Sequence, residues 1–415
     1  MRSSGTTHQN SYWGRQMVKI LALLLTILGV CTAVPAAAQC PTPTTPVDAQ
    51  TEMATLLTQD GTNFGQFAWD YFTYLNNSGV LGAPLPWESQ RQTADVYLPN
   101  GAAPTAWTAP PATPAAVCAA AQTIGMNPAL PFHNLDSILQ VDGLVANDNP
   151  AALNPLAATP RPPTPLRYLI QQGQLAFTYI VNNGIYNKNG QQAVVQAGQP
   201  LNFTANSFEL KTSWIWIGGD STLSGNLAKQ GFLVVNAYYQ QFDSVGNPIL
   251  QNGQPVYTVG WAALTGMHII LKPQGYPAWV WITFENVQNA TYVPPGPQLP
   301  IDQATATLNT QYQKTLAGTV LANYQLMGVQ TTFMQGSQPT LLANSTIETA
   351  FQPMSSCITC HGTASYSANN GYFNFATPDG HGGVVYPTGQ LPSLAGYVMF
   401  DYVWSLRRAH WATNP

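Results

Sequence analysis

The stretch Cys357-Ile358-Thr359-Cys360-His361 restricts this chain more than any other: two thiols three residues apart, followed at once by an imidazole. With five Cys and six His in 415 residues, about one chain in a thousand of this composition would contain the pattern by chance. The spacing is the attachment signature of c-type haem. Both sulfurs add across the haem vinyl groups as thioethers, and the adjacent His is held beneath the iron as proximal axial ligand. The expectation is one covalent haem c, anchored by Cys357 and Cys360 and ligated by His361. Two other chemistries use a Cys-x-x-Cys. Zinc needs two further ligands, and the chain has no second Cys-x-x-Cys and no His pair at short spacing. A redox dithiol normally opens a helix in a βαβ context early in a domain, whereas this motif lies near the C-terminal end.

A minimal haem domain needs far fewer than 415 residues, so most of the chain is something else. Only 7% of residues are charged while 45% are hydrophobic, with 34 Pro and 34 Gly, a composition suited to a loop-rich and β-rich exported protein. Arg2, Arg15 and Lys19 precede an apolar run over 20–34 and the small residues Pro35-Ala36-Ala37-Ala38. This predicts a secretory signal peptide over 1–38, cut after Ala38; Met17 as initiator would keep Lys19 as its charged region. The run is shorter than the roughly 20 residues of a spanning helix, so no membrane span is expected after cleavage. Covalent haem attachment takes place outside the bacterial inner membrane, which places the expected protein in the periplasm. Cys31 leaves with the signal, and with the motif thiols occupied Cys40 and Cys118 are the expected disulfide pair of an oxidising compartment. Beyond residue 38 ten Lys and Arg face 17 Asp and Glu, and the absence of a basic patch speaks against nucleic acid as a partner.

Residues 39–165 read as a Pro-rich region with one core helix, carried by Phe64, Phe67, Ala68, Tyr71 and Leu75 and stopped by Asn76-Asn77-Ser78-Gly79. Prolines from Pro84 to Pro111 predict turns and extended loops, and 149–165 reads as a linker. Residues 166–300 read as a β-rich domain. A helix over 168–186 is followed by strands at 208–217, 232–242, 256–271 and 279–284, with Gly246-Asn247 and Asn252-Gly253 as turn signals. Residues 301–415 read as a helical c-type haem-binding domain, with helical patterns over 301–327 and 400–411, the last carried by Phe400, Val403, Trp404 and Arg407. The expected fold is α+β: a central antiparallel β-sandwich or barrel-like region, flanking helices and a C-terminal helical cytochrome c-like haem segment.

Several stretches in order carry a family likeness: Phe64-Gly65-Gln66-Phe67-Ala68-Trp69 with Trp87-Glu88, Lys211-Thr212-Ser213-Trp214, Gly266-Met267-His268-Ile269-Ile270 and Trp281-Ile282-Thr283-Phe284-Glu285. Asn344-Ser345-Thr346-Ile347-Glu348, the haem motif and Asp401-Tyr402-Val403-Trp404-Ser405 complete the set. As an ordered set they resemble a family of bacterial periplasmic cytochrome c-like proteins of poorly defined function. The resemblance implies a single covalent haem on a large non-haem scaffold and no settled substrate.

The second axial ligand separates a carrier from a catalyst. Met399 is the one Met after His361 and would raise the reduction potential as a ligand, or else packs in the core. His268 lies among apolar strand residues, where it ligates or hydrogen-bonds internally. His381, within Asp379-Gly380-His381-Gly382-Gly383, is a third candidate on a glycine loop. Arg407 and Arg408 are placed either to pair with haem propionates or to solvate a helix end. Three functions follow: single-electron transfer with a periplasmic redox partner protein, a haem enzyme of peroxidase-like or small-ligand chemistry with an open distal site, or a glycan- or partner-binding module with an attached haem. The eleven Trp and nineteen Tyr serve as core, as sugar-stacking surfaces or as electron routes in these respective cases. No paired carboxylates, nucleophile elbow or phosphate loop supports a separate catalytic site.

Overall fold

The computed structural model describes residues 46–61, 63–77, 84–135, 166–243, 248–292, 299–348, 351–378 and 384–413. The 1–38 leader, Cys40, the 149–165 linker, the Gly246-Asn247 turn and His381 lie outside the described residues. The fold is mixed α+β and centres on one large sheet. Its strands are β1 (Arg91–Gln92), β2 (Phe132–Asn134), β3 (Leu166–Gln172), β4 (Phe208–Gly218) and β5 (Val234–Gln240), then, after the hairpin β6 (Leu250–Gln251) and β7 (Gln254–Pro255), β8 (Tyr257–Leu271), β9 (Val280–Asn286) and β10 (Tyr324–Gln330). The hydrogen-bonded order is β1-β3-β4-β8-β5-β2, with β9 also on β8 and β10 on β9. All pairs are antiparallel except β2 with β5. β8 is the axis of the sheet: residues 257–263 pair with β5 and 266–271 with β9. Strands thus come from all three stretches into which the sequence divides beyond residue 38.

Alternation along the strands gives the sheet two unlike faces. Phe208, Leu210, Met267, Ile269, Leu271, Val280, Ile282, Phe284 and Leu326 point to one side and form a single apolar cluster with two helices, α1 (Ala49–Asp60) and α2 (Phe64–Leu75). Asn63 caps α2 by accepting from the Gln66 amide, and the helix lays Phe72 on Phe284 with ring centroids 4.1 Å apart. The Gln303–Thr315 helix joins this layer through Asn309, which accepts from the Trp69 indole at 3.0 Å and donates to the Leu326 carbonyl. The opposite face presents Glu209, Lys211, Ser213, Gly266, His268, Trp281, Thr283, Glu285 and Gln330, neighbours in strand register. It is covered by the described residues between 341 and 413, which carry the Cys-x-x-Cys-His motif and the short strands β13 (Ser365–Ser367), β14 (Gly371–Tyr372) and β17 (Val398–Met399), after the hairpin β11 (Met334–Gln335) and β12 (Gln338–Pro339) and with the pair β15 (Thr377–Pro378) and β16 (Val384–Val385) between.

The strands expected from 208 to 284 and the helix at Phe64 are present. Three helical expectations are corrected. Residues 168–172 belong to strand β3, and the helix begins only at Gln174. Gly173 marks the change, because a Cβ there would meet the Phe208 ring at 2.3 Å. The pattern over 301–327 breaks at Thr315, since Tyr324–Gln330 is recruited as strand β10 against β9. The C-terminal helix over 400–411 is a single 3₁₀ turn, Trp404–Arg408, because Asp401 and Tyr402 adopt left-handed backbone at φ 49° and 68°. Helix α1 was not expected: only Ala49, Gln50, Met53 and Leu56 are buried, too faint a stripe to read. Trp69, Trp87, Trp214, Trp279 and Trp281 are at most 1% exposed, so these indoles serve the core and are withdrawn from any solvent sugar. Cys118 is buried and disulfide-bonded, and its partner lies outside the described residues. Among the described residues no helix is long and apolar enough to cross a membrane.

Candidate haem-attachment site

The motif occupies a one-and-a-half-turn helix, Cys357–Gly362, which sets Cys357 and Cys360 on one side at i and i+3. So short a helix has no stability of its own and is held by its ends. At its start Gln330, the last residue of β10, accepts from the Ile358 amide at 2.9 Å and donates to the Ser356 hydroxyl at 3.0 Å and the Thr340 carbonyl at 2.8 Å. One orphan amide of the helix N-terminus is thereby satisfied from the sheet edge. At its end Trp404 donates to the Cys360 carbonyl at 2.9 Å. Ile358 is fully buried beneath, and Thr359 donates to the Gly389 carbonyl.

Both motif thiols are free; Cys357 is buried and Cys360 half-buried. Burial pushes the Cys360 thiol up to about 12 and raises Cys357 as well, so neither has the thiolate character of a reactive dithiol. His361 Nδ1 lies 2.9 Å from the Tyr402 carbonyl. A carbonyl only accepts, so Nδ1 carries the proton and Nε2 keeps its lone pair. Burial lowers the imidazole to about 4, with the Tyr402 hydrogen bond opposing, which holds it in the neutral, ligating form. The left-handed turn that presents Tyr402 is tied down by Asp401, whose Oδ2 accepts from the Phe203 amide and the Lys272 amine, each at 2.6 Å. Trp281 packs against the imidazole with ring centroids 5.3 Å apart.

Residues 344–348 bind the same sheet face just before the motif. Asn344 donates to Thr283 Oγ1 and the Phe284 carbonyl, the Ser345 amide donates to Glu285, and the Thr346 hydroxyl pairs with Ser213 at 2.6 Å. Gly266 is needed beneath them, since a Cβ there would stand 2.5 Å from Asn344 Nδ2. Glu348 sits 3.1 Å from His268 Nε2 and accepts the Asn344 amide at 2.8 Å. Burial raises the Glu348 carboxyl, but His268, Lys211 and the hydrogen bonds outweigh it and leave it below its ordinary value. Lys211, the cross-strand neighbour of His268, acts electrostatically on Glu348 and both motif thiols. Further along, Ser405 donates to the buried Glu209 at 2.6 Å, whose carboxyl burial lifts to about 7.

The other expected residues fall as follows. Met399 is half-buried on β17, paired with Ser365, and its carbonyl accepts from the Leu201 amide. His268 is 3% exposed on β8. Arg407 lies 5.6 Å over the Tyr372 ring, and Arg408 is half-buried. Gln330, Lys211, Glu348 and the Tyr402 carbonyl were not singled out in the sequence as site groups, because their roles come from strand register and backbone, which leave no spacing signal. Two free sulfurs on one side of a helix and a neutral imidazole with Nδ1 already taken are the donor set that a covalent haem requires. No family model, no curated protein and no solved structure matches the chain.

Proposed function

We propose that this chain is an exported, periplasmic monohaem c-type cytochrome that passes single electrons to a redox partner protein, in keeping with its resemblance to cytochrome c-like proteins. The observation that carries the reading is the hydrogen bond from His361 Nδ1 to the Tyr402 carbonyl, which fixes the ring and its tautomer and leaves Nε2 for iron, as second-shell partners of ligating histidines do. Haem supplies one-electron chemistry at its iron; the chain supplies the thiols of Cys357 and Cys360, the imidazole of His361 and a dry setting. On this reading the main sheet and residues 341–413 are the two layers of a sandwich-like core, the second being the haem segment. On the same reading His268, rather than Met399, would give the iron its second ligand. His268, with Nε2 on Glu348 and Nδ1 buried without a partner, is the candidate ligand among the described residues with a nitrogen to spare.

The test is expression with and without c-type maturation machinery, followed by haem staining of the denatured chain, a pyridine haemochrome assay and intact mass. Haem should remain on the denatured wild type in a one-to-one ratio and be absent from Cys357→Ala/Cys360→Ala. A wild type that carries no covalent haem in a competent host overturns the reading.

A further inference from the structure

Trp281 poses an unanswered question of hydrogen-bond accounting. Its side chain is 0% exposed, and its Nε1–H has no acceptor among the described residues. A buried donor left unpaired costs about 1–3 kcal/mol, so native chains seldom keep one without a use. Neither strand neighbour on its face accepts from it. Across β8 stands the apolar Ile270; across β10 stands Gln330, whose Oε1 accepts from Ile358 and whose Nε2 donates to Thr340 and Ser356. The ring itself touches the machinery described above, 5.3 Å from the His361 imidazole and 5.8 Å from Tyr402 between centroids.

We infer that Trp281 is a haem-binding residue, its indole N–H donating to a propionate carboxylate of the haem that Cys357, Cys360 and His361 hold. The inference rests on the proposed haem attachment. Haem brings two carboxylates into a setting where cationic partners are few, and an indole N–H is a donor that carries no charge to desolvate. Donation draws negative charge from the propionate and favours its ionised form, so it lowers the propionate pKa and raises the reduction potential relative to a chain without it.

The experiment compares wild-type holoprotein with Trp281→Phe, which keeps an aromatic ring at the position and removes the donor together with part of the indole volume. Covalent haem content is read first by pyridine haemochrome; its absence from the wild type refutes haem attachment itself and takes this inference with it. With haem present, Trp281→Phe is expected to retain full haem content, to show a lower reduction potential, and to move the bend in the potential–pH curve to higher pH. An unchanged potential and pH profile overturns the inference and leaves an internal water as the acceptor. A second readout needs no variant fold: in ¹⁵N-labelled wild type the Trp281 indole proton should move between oxidised and reduced states and exchange slowly with solvent. A proton indifferent to oxidation state refutes the placement.

Discussion

The two faces of the main sheet are closed by different chemistry. On one, Phe208, Leu210, Met267, Ile269, Ile282 and Phe284 meet the aromatic residues of α2, and contact is a matter of shape and area. On the other, Glu209, Ser213, His268, Thr283, Glu285 and Gln330, none more than 3% exposed, meet Asn344, Ser345, Thr346, Glu348, Ser356 and Ser405 through hydrogen bonds. Apolar packing is strong but tolerates sliding, whereas hydrogen bonds are directional and pin one register. The apolar face therefore holds the fold together, and the polar face holds the Cys357–Gly362 helix in position.

The comparison can be broken from the apolar side first. Phe284→Ala removes the ring that Trp69 and Phe72 pack against; a loss of about 3–5 kcal/mol is expected in denaturant unfolding, with haem per folded molecule unchanged. A large fall in haem stoichiometry among folded molecules would show that the two faces are not separable. The polar side should respond to pH instead. Glu209 is raised from 4.5 to about 7 by burial, so the folded chain holds a proton that the unfolded chain releases, and stability falls as pH rises between those values. Glu209→Gln should match wild type near pH 4 and exceed it near pH 8 by about 3 kcal/mol. Equal stability at both pH values would mean that Glu209 is not held neutral.

Glu348 runs the other way. Its carboxyl is held below its ordinary 4.5, so its contribution is present above that value and is lost as pH falls through the folded one. Glu348→Gln is expected to cost about 2 kcal/mol at pH 7 and progressively less in acid, read by urea unfolding across pH. The smallest effect belongs to Met399→Ala. No change is expected in the visible and near-infrared spectra of the holoprotein, and loss of a sulfur-to-iron band would restore Met399 as ligand.

The long strands were legible because they are rich in Val, Ile, Trp and Tyr and end at turn residues, and α2 because its aromatic stripe has helical spacing. Strands β3 and β10 were not, since Leu166–Gln172 and Tyr324–Gln330 become strands only by pairing with β4 and β9, a tertiary choice that local pattern does not record. The Cys-x-x-Cys-His pattern was readable because its five residues are contiguous. Its supports were not: Gln330, Glu348 and Lys211 lie far apart along the chain, and the acceptor for His361 is a backbone carbonyl that any residue at position 402 would supply.

Gln330 ends the pairing of edge strand β10 with β9 and also caps the motif helix. This double duty imposes a sequence of events. The start of the helix has no anchor on the sheet until β10 has paired, and once docked it withdraws Cys357 from anything as large as an enzyme. On the proposed haem attachment, the sulfurs would be joined while this segment is still loose, so that attachment would precede the last step of folding.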